Sequence, residues 1–218
     1  MNVVTIKTLW SLGELKQNTH IIADEDGCII IDAGCSLEQI RTVCDKPVKA
    51  VLLTHGHFDH IQYIEEYDRL GIPIYASEKI VDFLLDADKN VSKWYTPKVY
   101  EIKNLVKLID GDQLDIDSHH IDCYYTPGHS DDSMCYLIDN EHLFSGDTLF
   151  SVAVGRTDLT TGDKNVLICS LKKILNLNFK HLNLNFKHLY TGHGRNSDKE
   201  EQMTNIPKWI DRLNIMSI

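Results

Sequence analysis

The segment His55-Gly56-His57-Phe58-Asp59-His60 gathers three imidazoles and one carboxylate into six residues, directly after the apolar run Ala50-Val51-Leu52-Leu53. That run reads as a buried strand. The ligand-type side chains therefore stand at the C-terminal end of a strand, where α/β folds place their sites. A pair at i and i+2 with a second pair two residues on cannot all point one way. Such a set suits two metal ions side by side better than one. Three more candidate ligands follow at long intervals: His129 in Thr126-Pro127-Gly128-His129-Ser130, Asp147 in Ser145-Gly146-Asp147-Thr148, and His193 in Thr191-Gly192-His193-Gly194. Each follows an apolar or β-prone stretch and stands beside Gly, which lets backbone approach closely and turn sharply. The mixed nitrogen and oxygen donors suit zinc, and also iron or manganese.

The elements that must position these residues can be read in outline. Strand signals cover Val3 to Thr8, His20 to Ala23 and Cys28 to Asp32, with a hairpin turn at Asp26-Gly27. Ser36 can cap a short helix to about Val43. The strand Ala50 to Thr54 leads into the histidine segment, and a helix runs from Asp59 to Leu70, stopped by Gly71 and Pro73. Ile74 to Ala76 reads as a strand and Ser77 to Leu85 as a helix. Val106 to Ile109 and Gln113 to Ile116 flank Asp110-Gly111-Asp112, which reads as a second hairpin. His119 to Thr126 leads to His129. Met134 to Ile138 and His142 to Phe144 flank the turn Asp139-Asn140-Glu141. A helix from Asp163 carries Leu167, Leu171, Ile174 and Leu175 on one face, and a last strand ends at His193. A capping box, Ser197 to Glu200, opens the tail, where Pro207 must kink or restart the helix.

Length and composition bound the class. The chain has 218 residues and is 43% hydrophobic, enough for one sizeable domain with an ordinary core. Without a visible linker, residues 1–218 read as a single α/β domain. The net charge of −10, with no basic stripe, argues against nucleic acid as a partner. No apolar run reaches membrane-spanning length, and the N-terminus has no signal-peptide pattern. The six cysteines form no C-x-x-C pair and read as buried free thiols in a reducing, cytoplasmic setting.

The ligand series, in this order from about Asn18 to Gly194, resembles the metallo-β-lactamase superfamily. The resemblance implies an αββα four-layer sandwich with the site along one edge. It also implies one metal held by His55, His57 and His129, a second held by Asp59, His60 and His193, and Asp147 bridging them. Asp32, in Ile31-Asp32-Ala33-Gly34, matches an early Asp that supports the site from behind the ligands. Two zinc ions are the implied cofactor, with iron or manganese as alternatives.

Particular residues separate the branches of the superfamily. Asp147 stands where cysteine-using β-lactamases place a thiolate. His57 stands where di-iron oxygen reductases carry Glu. Phe150 lies in the region where quorum-lactone hydrolases have a Tyr. Gly146-Asp147-Thr148-Leu149-Phe150 with Gly155-Arg156-Thr157-Asp158 resembles glyoxalase II-like proteins of the short bacterial type, and also persulfide dioxygenases. Two departures stand out. Ile61-Gln62 replace the small residues usual after the first motif. Only about 25 residues follow His193, with Lys199, Lys208 and Arg212 as the cations in place of a glutathione-gripping extension.

The resemblance thus implies a hydrolase for a thioester such as S-lactoylglutathione, working through a metal-bridged hydroxide, with Asp59 and Asp147 as catalytic residues. The alternatives are a persulfide dioxygenase with one iron on His55, His129 and Asp147, and another hydrolase of this fold. The expected partner is a small anionic thioester; the oligomeric state is open. Arg156 either pairs internally with Asp158 or faces that anion, the internal pair being favoured. Asp86 to Asn104 interleaves Lys93, Trp94, Tyr95, Lys98 and Tyr100. It reads either as an exposed connection or as an aromatic and basic wall on which Trp94 and Tyr95 contact substrate. Finally, Leu175 to His181 is repeated without change as Leu182 to His188. Seven residues nearly complete two helical turns, so the extra copy is expected to lengthen the helix by about 10 Å or to bulge, as a tolerated duplication.

Overall fold

The computed structural model describes residues 4–12, 15–177 and 186–215. The chain gathers into two compact units, Met1–Leu108 with Asp115–Ser118, and Ile109–Leu114 with His119–Ile218.

The first unit is built on a six-stranded sheet in the order β1 (Thr5–Trp10), β2 (Asn18–Ala23), β3 (Cys28–Ile31), β4 (Val48–Leu52), β5 (Ile74–Ser77), β6 (Leu105–Leu108). The first three strands pair antiparallel and β3 to β6 pair parallel. The Asp24 carboxylate closes the expected Asp26-Gly27 turn by accepting from both backbone N–H groups, at 2.8 and 3.0 Å. Parallel neighbours need crossovers. These carry α1 (Leu37–Arg41), α2 (Phe58–Ile61), α3 (Ile64–Arg69) and α4 (Ile80–Leu85). Ile40, Ile61, Ile64, Tyr67, Ile80 and Leu84 of the helices pack on Ile30, Val51, Leu53, Ile74 and Ala76. Ile29, Ile31 and Leu52, which alternate with those strand residues, are buried too. Burial on both faces is why these strands read as unbroken apolar runs.

The second unit has a six-stranded sheet in the order β12 (Ser197–Asp198), β11 (His188–Thr191), β10 (His142–Gly146), β9 (Met134–Ile138), β8 (His119–Tyr125), β7 (Gln113–Ile116). Strands β10 and β11 are parallel, and α5 (Lys164–Leu177) lies in their crossover. Leu167, Leu171 and Ile174 of α5 share a core with Ile206 and Leu213 of α6 (Lys199–Ile215) and with Leu137, Leu143 and Leu189 of the sheet.

Five expectations need correction or placement. The turn at Asp110-Gly111-Asp112 is present, with Gly111 at φ 87°, but it joins no hairpin. β6 belongs to the first sheet and β7 to the second, so the turn hands the chain from one sheet to the other. The helix expected over Asp59 to Leu70 breaks at Tyr63 (φ −110°, ψ 14°) into α2 and α3. The α6 cap is Asp198, whose carboxylate accepts from Glu201 N at 2.9 Å, one residue later than expected. Nor does that helix restart at Pro207, because buried Ile206 and Leu213 hold both sides of the proline to one core. Within the tandem repeat, residues 178–185 lie outside the described residues.

Candidate metal centre

In the first unit the donors follow β4. His55 and His57 flank Gly56, where a Cβ would lie 2.5 Å from Phe83 Cβ and 2.9 Å from Ile80 Cδ1. Only glycine lets this loop press onto α4. His55 Nε2 and His57 Nδ1 stand 3.0 Å apart. Two imidazoles on one tetrahedral zinc, with bonds of about 2.05 Å, hold their nitrogens about 3.3 Å apart, so the pair is close to ligating geometry. His57 is the N-cap of α2, which places Asp59 and His60 in its single turn. Asp59 Oδ2 lies 3.8 Å from His60 Nε2. All four donors are buried.

Asp32 stands behind them. It is 1% exposed and adopts φ 64°, a left-handed conformation uncommon outside glycine. One oxygen accepts from Thr54 N at 2.7 Å, and Thr54 Oγ1 reaches both oxygens at 2.9 and 3.1 Å. The other oxygen is 2.7 Å from His60 Nδ1. A carboxylate only accepts, so His60 carries its proton on Nδ1 and presents the Nε2 lone pair.

In the second unit His129 follows β8, Asp147 follows β10 and His193 follows β11. Asp147 Oδ2 lies 3.6 Å from His129 Nε2 and 3.5 Å from His193 Nε2, almost equidistant. His129 Nδ1 is 2.8 Å from the carbonyl oxygen of Arg156. A carbonyl cannot donate, so this ring too is protonated on Nδ1 and offers Nε2. Gly155, the preceding residue, admits no side chain. A Cβ there would fall 2.0 Å from the Asp147 carbonyl and 2.9 Å from the His129 ring. Gly155 and the Arg156 carbonyl thus join the site through backbone; the run Gly155-Arg156-Thr157-Asp158 carries a resemblance but does not by itself reveal these contacts.

The Arg156 guanidinium turns elsewhere. It makes a fork with Asp158, Nε to Oδ1 and Nη2 to Oδ2, both at 2.7 Å. The Arg156 hydrogen bond holds the Asp158 carboxyl well below its usual range, at about 2. Tyr95 packs on Phe58 with ring centroids 4.6 Å apart, whereas Trp94 is 60% exposed. Lys93 pairs with Asp88 at 3.2 Å and Lys98 with Glu65 at 2.7 Å. Buried Asn90 anchors this loop. Its amide donates to Phe83 O and Lys98 O at 3.0 and 2.9 Å, its side-chain oxygen accepts from Ser92 N at 2.9 Å, and its carbonyl accepts from Phe58 N at 2.8 Å. Two cavities adjoin the loop. One of 240 Å³ is lined by Ser11, Leu12, Leu15, Phe58, Asp59, Gln62 and Tyr95. The other, of 440 Å³, shares Phe58, Gln62 and Tyr95 and adds Glu65, Glu66, Arg69 and Lys98. Trp94 lines neither.

Residues 12–182 match the profile of the Metallo-beta-lactamase superfamily. The chain belongs to that superfamily. The "Probable metallo-hydrolase YqgX" of Bacillus subtilis (strain 168) is 34% identical over 194 residues, covering 86% of this chain and 89% of the relative. A "Hydroxyacylglutathione hydrolase" of Francisella philomiragia is 33% identical over 174 residues, covering 78% of this chain and 62% of that protein. Among solved structures, the BLEG-1 B3 metallo-beta-lactamase superposes with a TM-score of 0.79 at 31% identity, covering 94% of this chain and 99% of that one. The fold is the metallo-β-lactamase fold, an α/β architecture with two mixed sheets flanked by helices, as the residues led one to expect. A metallo-β-lactamase-superfamily chain with such His/Asp donor clusters is a metallo-hydrolase that takes a divalent metal. Among the described residues, no helix is long and apolar enough to cross a membrane.

Proposed function

We propose that the two donor groups close on one dinuclear centre and that the protein is a cytoplasmic hydrolase of thioesters such as S-lactoylglutathione. His55, His57 and His129 would hold one zinc ion, Asp59, His60 and His193 the other, and Asp147 both. The observation that carries this reading is the fixed protonation of the rings. His60 and His129 are each hydrogen-bonded through Nδ1 to an oxygen that can only accept, which leaves Nε2 for a metal. Asp147 offers one oxygen 3.6 Å from His129 Nε2 and 3.5 Å from His193 Nε2. When bound, the metals would supply a water acidified to about neutral pH and a Lewis acid for the acyl oxygen. The chain supplies the rest. Asp59, 3.8 Å from His60 Nε2, would accept a hydrogen bond from the attacking water and so orient it. Asp32 keeps His60 from turning. A thiol leaving group, with a pKa near about 8.5, departs as the thiolate and needs no dedicated acid. The hydroxyacylglutathione hydrolase among the relatives supports the substrate class.

The test is metal content by mass spectrometry on protein purified without added metal, followed by turnover of a thioester panel beside a chromogenic cephalosporin. The expected result is two zinc ions per chain and thioester cleavage. Asp147→Ala should lose activity by more than about a hundredfold, since metal Lewis acidity is worth several kcal/mol, with an unchanged circular dichroism spectrum. One iron per chain with oxygen uptake on glutathione persulfide would replace this reading with the dioxygenase. Cleavage of the cephalosporin alone would replace it with a lactamase.

A further inference from the structure

We infer that the acyl group of the substrate is apolar and seats in the 240 Å³ cavity beside Asp59, with the thiol carrier running on into the larger cavity. The inference rests on the thioester reading above and adds the substrate class. The smaller cavity abuts Asp59 and is walled by Leu12, Leu15, Phe58 and Tyr95, with Gln62 as a neutral polar group. Among the described residues, no lysine or arginine lines it. A charged acyl end would lose its hydration against Leu12, Leu15, Phe58 and Tyr95, whereas a hydrocarbon would cover side chains that are otherwise wet: Leu12 is 74% exposed and Tyr95 57%. Large apolar side chains gathered at one mouth mark a binding surface. The cavity holds roughly eight waters at about 30 Å³ each, room for an acyl chain of about six carbons.

The neighbouring 440 Å³ cavity has the opposite character. Glu65, Glu66, Arg69 and Lys98 line it, two charges of each sign. That suits a polar carrier better than a hydrocarbon. Lys98 is already engaged by Glu65 at 2.7 Å. Phe58, Gln62 and Tyr95 line both cavities, so one extended ligand can pass from one to the other along their shared wall. The wall is held in place rather than left loose. Asn90 ties its carbonyl to Phe58 N and its amide to Lys98 O. Val91 beside it takes φ 60°, a conformation a β-branched residue adopts only when its surroundings impose it.

The experiment compares acetyl, butyryl, hexanoyl and succinyl thioesters of N-acetylcysteamine on the metal-loaded enzyme, and measures acetate and hexanoate binding by calorimetry. A fully buried methylene is worth about fourfold, and about twofold in a cavity with an open mouth. The hexanoyl ester should therefore exceed the acetyl ester in kcat/KM by about 16-fold or more, with the succinyl ester below the butyryl. Hexanoate should bind more tightly than acetate. Leu12→Asp, at an exposed position, should cut the hexanoyl-to-acetyl ratio at least about fivefold. Thioester cleavage with a flat or falling chain-length profile that Leu12→Asp does not move would overturn the inference and leave the hydrolase reading intact. No cleavage of any ester, with hexanoate still favoured and Leu12→Asp still weakening it, would overturn the hydrolase reading and keep the apolar pocket. Acetate and hexanoate binding alike would overturn the inference by itself.

Discussion

Asp32→Asn isolates the supporting carboxylate with little change of shape, and asparagine tolerates the left-handed backbone of this position (φ 64°). Thr54 N–H, 2.7 Å from Oδ1, requires an oxygen there. The introduced amide nitrogen must then occupy the Oδ2 position, 2.7 Å from His60 Nδ1. Two N–H groups cannot face each other, so His60 would move its proton to Nε2, the atom proposed to bind metal. The expected cost is that of losing a supporting group, a drop of about 10- to 100-fold in metal affinity, or about 1.4 to 2.7 kcal/mol. Hydrogen bonds to charged groups are worth about 1.5–3 kcal/mol. In a chain of this length each kcal/mol moves Tm by about 2–4 °C, so the apo protein should melt about 3–12 °C lower. Competition with a chromophoric chelator reads the affinity, and long-range proton–nitrogen correlation spectra read the tautomer. A variant with wild-type affinity and His60 still protonated on Nδ1 would refute the reasoning.

Gly155→Ala pushes a methyl group to 2.0 Å from the Asp147 carbonyl and 2.9 Å from His129. Overpacking of this kind costs about 1–3 kcal/mol, and metal content should fall together with Tm. Arg156→Ala should change stability by less than about 1 kcal/mol, because its fork with Asp158 is exposed. Because the Arg156 carbonyl holds His129, metal content should be unchanged, and a KM within about twofold of wild type would confirm that the guanidinium serves Asp158 rather than substrate. Burial pushes the His142 imidazole below its usual range, with His188 and Lys187 adding to this and Glu141 and Asp139 opposing it. Its folded pKa thus lies below the unfolded value of about 6.5. This residue's contribution is constant above that pH and turns destabilising as pH falls toward the folded pKa. His142→Gln should therefore lose less Tm than wild type between pH 7.5 and 5.0, and parallel Tm-against-pH curves would refute it.

The candidate donor residues were legible because their chemistry allows few side chains and their positions follow strands that read as apolar runs. His55 after Leu52 and Asp147 after Phe144 are examples. Legibility failed where backbone does the positioning. Every residue has a carbonyl, so nothing in the letters marks Arg156 as the one that fixes His129. It failed as well where a turn signal names a local bend but not the partner of the next strand. Asp110-Gly111-Asp112 bends as its composition requires, yet β6 pairs with β5 and β7 with β8, which the turn does not specify.

Charges show the same limit from the other side. Arg156 reads as an internal partner of Asp158 in preference to a substrate cation, Lys93 and Lys98 read as part of an exposed connection or of a basic wall, and each of the three is met by a carboxylate of the chain. Those partners are two residues on, five residues back and 33 residues back, in Asp158, Asp88 and Glu65. The first pair is visible in sequence as a near neighbour; the last exists only because α3 and the 86–100 loop pack together. The acyl wall is harder still. Leu12, Leu15, Phe58 and Tyr95 come from three separate segments and are individually ordinary apolar residues. A metal centre is built from rare residue types and announces itself, whereas an apolar specificity pocket is built from common ones and exists as a site only after folding. Two chains of this superfamily can therefore share every metal ligand and differ in substrate through side chains that no motif contains.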